Sequence, residues 1–425
     1  MKNTITIKVL TKETLADSPF QIKIGNLPKN KKIKIRLILE NYYCINAPMN
    51  LDSNIFWESE ALFKSDYNGQ IDLAKTPALS GAYQGVERMG LFFNAKPSSL
   101  KKEKLPTNIK DIPYYKNFNI KIEVYDENEE LLGNKLFKRY FQSQNIKSKT
   151  LFFKHSQSRF FYHDDNKKRA TIMVISGSEG RIEKAQNIAQ LLASRGFNSL
   201  AIAYFSLDGL PKNLEKIPIE AIEEGIEYLE SSLFVDIDNI GIYGRSKGAE
   251  LALLATSKLN GIKCLVLNSP SYIALEGIRR WKNSHSSSWS FRGKELPYQK
   301  FRLIDFFKRI CSKNTILKHI NPQSIINIKH CDIALLMIAS KTDEVWQAEF
   351  STHKIQEACS KNTTCKVNLY EETGHMLTIG YQPNNRYSKK NSSALLEESV
   401  HSWEESINFF KKHLKSEFAD KQKNQ

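Results

Sequence analysis

The chain has 425 residues, 41% of them hydrophobic and 25% charged, a composition that reads as soluble and globular and a length that suits two or three domains rather than one core. Lys and Arg exceed Asp and Glu by 62 − 46 = 16. They are scattered in short groups at 29–36, 100–104 and 166–169 with no interleaved aromatic block, so no nucleic-acid groove is indicated and the excess reads as solvated surface charge.

The first third reads as strands. KNTITIKVL, SPFQIKIGNL, KIKIRLILE, NIFWESEALFKS and FNIKIEVYDENEELLGNKLFKRYF alternate or are β-branched, with turn signals between them at NLPKN, DYNG and DENEELLGN. Many strands and few helical patterns predict an immunoglobulin-like β-sandwich over residues 1–145. The stretch 96–115, with its prolines, reads as a loop.

After about Lys147 the pattern changes. ATIMVIS is a buried-type strand, EKAQNIAQLLASRG an amphipathic helix closed by glycine, SLAIAYF a strand, IPIEAIEEGIEYLESS a helix, NIGIYG a strand, AELALLATSKLNG a helix and KCLVLNS a strand. This alternation predicts an α/β domain over 146–425, with a mostly parallel sheet covered by helices on both faces. Residues 284–327 interrupt it and read as an insertion or cap. CDIALLMIAS, STHKIQEACSKN, CKVNLYEE and SVHSWEESINFFKKHLK then resume as strand, helix, strand and helix.

The segment Gly244-Arg245-Ser246-Lys247-Gly248 fits G-x-S-x-G between a strand and a helix. Alone it is equally a tight turn with a helix-capping serine. In a strand–turn–helix setting it is the nucleophile elbow of an α/β-hydrolase fold, which exposes the serine at the strand end above a helix N-terminus. A serine hydroxyl needs a base, and the base an orienting carboxylate, in the chain order Ser, acid, His. Asp343 follows the strand IALLMIAS and His375 follows KVNLY, both on loops at strand C-terminal ends. Glu344, and more weakly Glu371 or Glu372, are the fallback acids. His353, His401 and His413 fall in helices and read as packing or surface residues. The oxyanion donors expected are the backbone N–H of Lys247 and one from Gly177, Ser178 or Glu179 in SGSEG, with Ser178 taken as the second donor. The Lys247 side chain is expected to be solvated.

Cys44, Cys264, Cys311, Cys331, Cys359 and Cys365 form no CxxC pair, so no metal site or cofactor is expected, and free thiols point to a reducing cytoplasm. MKNTITIKVLTKETL lacks the apolar core of a signal peptide, and no run of about 18 apolar residues marks a membrane insertion.

Several stretches together resemble the acyl-CoA thioesterase/bile acid-CoA:amino acid N-acyltransferase family. They are ALFKSDYNGQIDLAKTPALSGAYQGVERMGLFF, LASRGFNSLAIAYFSLDGLPKNLEKIPIEAIEEGIEYL, GRSKGAELAL, SSWSFRGKELPY, TDEVWQAEF and GHMLTIGY. The resemblance implies an immunoglobulin-like domain beside an α/β-hydrolase domain, a Ser246–His375–Asp343 triad, and an acyl-CoA thioester as substrate. There are two departures: SGSEG is poorer in glycine than the family's loop, and Thr342 stands where relatives carry a first acid. Serine rather than cysteine at position 246 favours hydrolysis over transfer to an amino acid. N-acyl transfer, carboxylester hydrolysis and a non-catalytic binding role stay as alternatives, and oligomeric state is open. Arg245, Lys247, Arg279, Arg280 and Arg292 are candidates for the CoA phosphates.

Overall fold

A computed structural model describes residues 4–280, 282–300, 320–361, 363–375, 377, 379–383 and 392–414. The chain forms two compact units, one of residues 1–105, 114–144 and 378–403, the other of 106–113, 145–377 and 404–425.

The first unit is β-rich. Its strands are β1 (Thr6–Leu10), β2 (Gln21–Gly25), β3 (Lys32–Glu40), β4 (Trp57–Lys64), β5 (Ile71–Asp72), β6 (Ser80–Gly81), β7 (Lys96–Pro97), β8 (Asn117–Tyr125) and β9 (Leu131–Tyr140), with a short helix α1 (Gly90–Phe93). They make a three-stranded sheet in the order β1-β2-β5 and a six-stranded one in the order β6-β4-β3-β8-β9, with β7 beside β4. Strict alternation explains β3: Ile33, Ile35, Leu37 and Leu39 are buried, and so are Phe118, Ile120, Ile122 and Val124 of the adjoining β8. The unit also draws on chain far downstream. The indole of Trp403 donates to Asp17 Oδ2 at 2.8 Å, and Asn46 Nδ2 donates to the Pro383 carbonyl at 2.8 Å.

The second unit is a helix-covered α/β sheet of eight strands. They are β10 (Ile146–Phe152), β11 (Gln157–His163), β12 (Arg169–Ile175), β13 (Asn198–Ala203), β15 (Val235–Arg245), β16 (Ile262–Asn268), β21 (Ala334–Ser340) and β22 (Thr364–Tyr370), in the order β10-β11-β13-β12-β15-β16-β21-β22. Short pieces fill the numbering: β14 (Ile217–Pro218), β17 (Glu276–Arg279), β18 (Lys282–Ser287), β19 (Trp289–Phe291) and β20 (Lys294–Glu295). Among the described residues the helices are α2 (Ile182–Ser194), α3 (Glu220–Glu230), α4 (Lys247–Thr256), α5 (Ala348–Ala358) and α6 (Ser392–His413), of which α6 belongs to the first unit up to Trp403 and to the second from Glu404.

Six of the eight strands run parallel, from β13 to β22, and β10 and β11 are antiparallel additions at one edge. β12 and β21 are buried at every position, as strands covered on both faces must be. β10 was not legible as a strand: IKSKTLF buries only Ile146 and Leu151, leaves Phe152 exposed, and gives little apolar signal. α6 begins at Ser392 rather than at the expected Ser399. The break in the alternation starts before the expected 284: the β17–β18 hairpin already begins at Glu276, the β19–β20 hairpin falls inside 284–327, and residues 301–319 lie outside the described ones. Among the described residues no helix is long and apolar enough to cross a membrane, and no cluster of three His, Cys, Asp or Glu side chains has metal-site geometry.

Candidate active site

β15 ends in an elbow. Ser246 is held at φ 52° and ψ −120°, a region that side chains other than glycine's rarely adopt, and α4 starts at the next residue. Its backbone is over-determined. Ser246 N donates to the Asn268 carbonyl at 2.8 Å, and its carbonyl accepts from Ala249 N at 2.9 Å and Glu250 N at 3.1 Å.

The two glycines are there for space. A Cβ on Gly244 would meet the Gly248 carbonyl at 2.7 Å and Ala249 Cα at 2.8 Å. A Cβ on Gly248 would lie 2.1 Å from the Ser176 carbonyl oxygen and 2.6 Å from that of Ile175. These are backbone atoms that no rotamer change can move aside. Gly248→Ala is therefore expected to destabilise the unit by about 2–3 kcal/mol, read as a lower unfolding temperature, and to slow labelling of Ser246 by a fluorophosphonate; an unchanged labelling rate would refute the packing argument.

Ser246, His375 and Asp343 stand in file. His375 Nε2 lies 2.9 Å from Ser246 Oγ, and His375 Nδ1 lies 2.9 Å and 3.0 Å from the two oxygens of Asp343. The Asp343 and His375 side chains are 2% and 4% exposed, so this contact is shielded from water. Asp343 Oδ1 also accepts from Val345 N at 2.9 Å and Trp346 N at 3.1 Å, which fixes the loop after β21. The fallback acids lie elsewhere: Glu344 is exposed, and Glu371 pairs with Lys341 at 2.5 Å. His353 and His401 are exposed on their helices, and His413 is partly buried.

Residues without a sequence-assigned role complete this frame. The Trp346 ring meets the His375 imidazole edge to face at 4.9 Å, and its indole N–H donates to the Ser269 carbonyl at 3.1 Å. The Ser269 hydroxyl donates to the His375 carbonyl, and Asn268 Nδ2 donates to that of Leu377 at 2.7 Å. The end of β16 thus anchors the histidine loop. Thr342 joins in, its hydroxyl accepting from Gly374 N at 3.3 Å.

On the other side of Ser246 lies the loop Ser176–Gly180. A Cβ built on Gly177 would be 3.2 Å from Ser246 Cβ, so this loop runs against the serine. Ser178 is exposed. Glu179 packs beside Gly177: burial disfavours its carboxylate, but Lys184 and Arg245 outweigh that and hold its pKa below the usual range.

Lys247 departs from expectation. Its side chain is buried, not solvated: the ammonium sits 2.9 Å from Glu250 and 2.8 Å from Ser288 Oγ. Burial pushes the Lys247 ammonium down and the Glu250 carboxyl up, while their mutual attraction opposes both. Glu250 was detectable in principle as one acid inside the apolar helix AELALLAT. The candidate CoA-phosphate cations are also largely engaged. Arg279 pairs with Glu215 and Arg292 with Glu223, each at 2.5 Å, Arg245 is buried, and Arg280 is exposed.

Two family profiles match the chain. One, described as the acyl-CoA thioester hydrolase/BAAT N-terminal region, covers residues 17–151, and the other, described as the BAAT/acyl-CoA thioester hydrolase C terminal, covers 217–416. Acyl-coenzyme A thioesterase 1 of Mus musculus is 25% identical over 86% of this chain and 84% of its own. Acyl-coenzyme A thioesterase 5 of Mus musculus is 25% identical over 94% of each. Among solved structures, an α/β hydrolase from a Medee basin deep-sea metagenome library aligns with 64% of this chain and 99% of its own at 17% identity and a TM-score of 0.40. With both profiles matching in order and the curated relatives spanning both units, the chain belongs to the acyl-CoA thioester hydrolase/BAAT family.

Proposed function

We propose that the protein hydrolyses acyl-CoA thioesters through an acyl-serine intermediate. The observation that carries this reading is the file Ser246 Oγ–His375 Nε2 at 2.9 Å and His375 Nδ1–Asp343 at 2.9 Å, set on a strained elbow in a member of this family.

His375 takes the Ser246 proton as the hydroxyl attacks the thioester carbonyl. The oxyanion is stabilised by the N–H of Lys247 at the start of α4 and by a second N–H from the Ser176–Gly180 loop, with Ser178 the assigned residue. The carbon–sulfur bond breaks and CoA leaves as a thiolate, which needs little acid assistance. The His375 imidazolium gives its proton to the departing thiolate, and the imidazole, neutral again, deprotonates a water that attacks the acyl ester; the free acid departs as the proton passes back to Ser246. Asp343 keeps the imidazole in the tautomer with the proton on Nδ1 and stabilises the imidazolium that forms. The free thiols of Cys44, Cys264, Cys331, Cys359 and Cys365 are in keeping with a cytoplasmic location.

The test is a series of acyl-CoAs of graded chain length, with CoA release followed by thiol detection and the acyl group on Ser246 trapped by rapid quench and mass spectrometry. Saturable thiol release with one acyl adduct on Ser246 is expected. Ser246 labelled by a fluorophosphonate without turnover of any acyl-CoA would leave a serine hydrolase of another ester, and an amide product on adding glycine or taurine would make the protein an acyltransferase.

A further inference from the structure

The two peptide arms assigned above to the oxyanion lie far apart in the chain, at 176–180 and at 247, yet one set of buried side chains touches both. Tyr204, at the end of β13, is fully buried, and its hydroxyl donates to the Ser176 carbonyl at 3.1 Å and to the Gly177 carbonyl. A peptide group is planar and trans, so holding those two carbonyls also sets the directions of the Gly177 and Ser178 N–H groups. Gly180 N holds the Gly177 carbonyl as well, at 3.0 Å.

The Tyr204 ring lies 6.0 Å from the ring of Trp289, which is also fully buried. The Trp289 indole donates to Glu250 Oε1 at 2.6 Å, and Glu250 accepts further from Leu275 N at 2.8 Å and pairs with Lys247 at 2.9 Å. The Lys247 ammonium stands 5.7 Å over the Trp289 ring and donates to Ser288 Oγ. The contacts therefore run without a gap from the Ser176–Gly180 loop, through Tyr204, Trp289 and Glu250, to the first residue of α4.

We propose that Tyr204, Trp289 and Glu250 are positioning residues, a single buried hub that holds both oxyanion arms in one geometry. This rests on the serine-hydrolase reading above. Donors stabilise a developing charge only when they are already aimed at it. A glycine-containing loop would rotate its peptides freely, and an unbraced buried lysine at the helix start would pull that turn toward water. The hub removes both freedoms. It also draws on Ser288 and Trp289 from the 284–327 insertion and on Leu275 shortly before it, which gives the chain after β16 a part in the alignment of the site.

Tyr204→Phe keeps the ring and deletes the hydroxyl. Its kcat is expected to fall by about 10- to 100-fold with KM within about twofold, and fluorophosphonate labelling of Ser246 to slow by the same factor. Trp289→Phe, which keeps a ring but removes the indole donor, is expected to lower kcat by about 10-fold, and the double variant to lose less than the product of the two. A Tyr204→Phe enzyme with kcat within twofold of wild type overturns the proposal, as does a loss confined to KM or to unfolding temperature, or a double variant whose losses multiply. Should Tyr204→Phe fail to fold, the kcat and labelling rate of Trp289→Phe decide by the same limits. Wild-type protein that neither labels nor turns over would instead sink the hydrolase reading itself.

Discussion

Ser246→Ala is expected to lower kcat by about 10⁴- to 10⁶-fold against any acyl-CoA the wild type hydrolyses, the range seen when a serine hydrolase loses its nucleophile. Wild-type-like thiol release by this variant would refute the assignment. A companion substitution separates chemistry from strain. Ser246 is held at φ 52° and ψ −120°, where alanine keeps the steric penalty and glycine does not. Both variants lack the hydroxyl bonded to His375, so their difference isolates the backbone. Ser246→Gly is expected to be equally inactive but more stable than Ser246→Ala by about 1 kcal/mol, read as a higher unfolding temperature. An alanine variant at least as stable as the glycine variant would show that the elbow stores no strain.

The second large effect is expected at Asp343. Asp343→Asn keeps an oxygen for the N–H groups of Val345 and Trp346, which Oδ1 now satisfies at 2.9 Å and 3.1 Å, so the loop stays closed. What changes is the group facing His375. An amide N–H donates to Nδ1 and leaves the imidazole proton on Nε2, pointing at the serine from which a proton must be taken. The carboxylate that stabilises the imidazolium is lost as well. With the pair 2.9 Å apart and shielded from water, kcat is expected to fall by about 10³- to 10⁴-fold with little change in KM. A loss smaller than tenfold in steady-state kinetics would point to another carboxylate as the partner of His375.

Local pattern made much of the architecture legible. The strict alternation in β3 needs only one buried face to be recognised, and the unbroken apolar run of β21 reports burial on both. The reverse holds at the sheet edge, where β10 pairs along its length with β11 but buries only Ile146 and Leu151, too little to show as a pattern. Within the candidate site, Ser246, Asp343 and His375 were legible because a strand end, a glycine-flanked serine and a chain order constrain one another. The burial of Lys247 was not legible: a lysine beside a serine looks solvated until Glu250, Ser288 and Trp289 close over it.

The sequence by itself determined the alternation of strands and helices, the elbow, and the order in which the hydroxyl, the carboxylate and the imidazole follow, because each is written in neighbouring residues. Only the tertiary structure decided that Asp343 rather than Glu344 or Glu371 faces His375, that residues near the C-terminus join the first unit through Trp403 and Asp17, and that Tyr204, Trp289 and Glu250 connect the Ser176–Gly180 loop to the start of α4. These are pairings across tens to hundreds of residues. Each is set by which desolvated polar group finds its partner when the chain closes, and no periodicity of the chain encodes it.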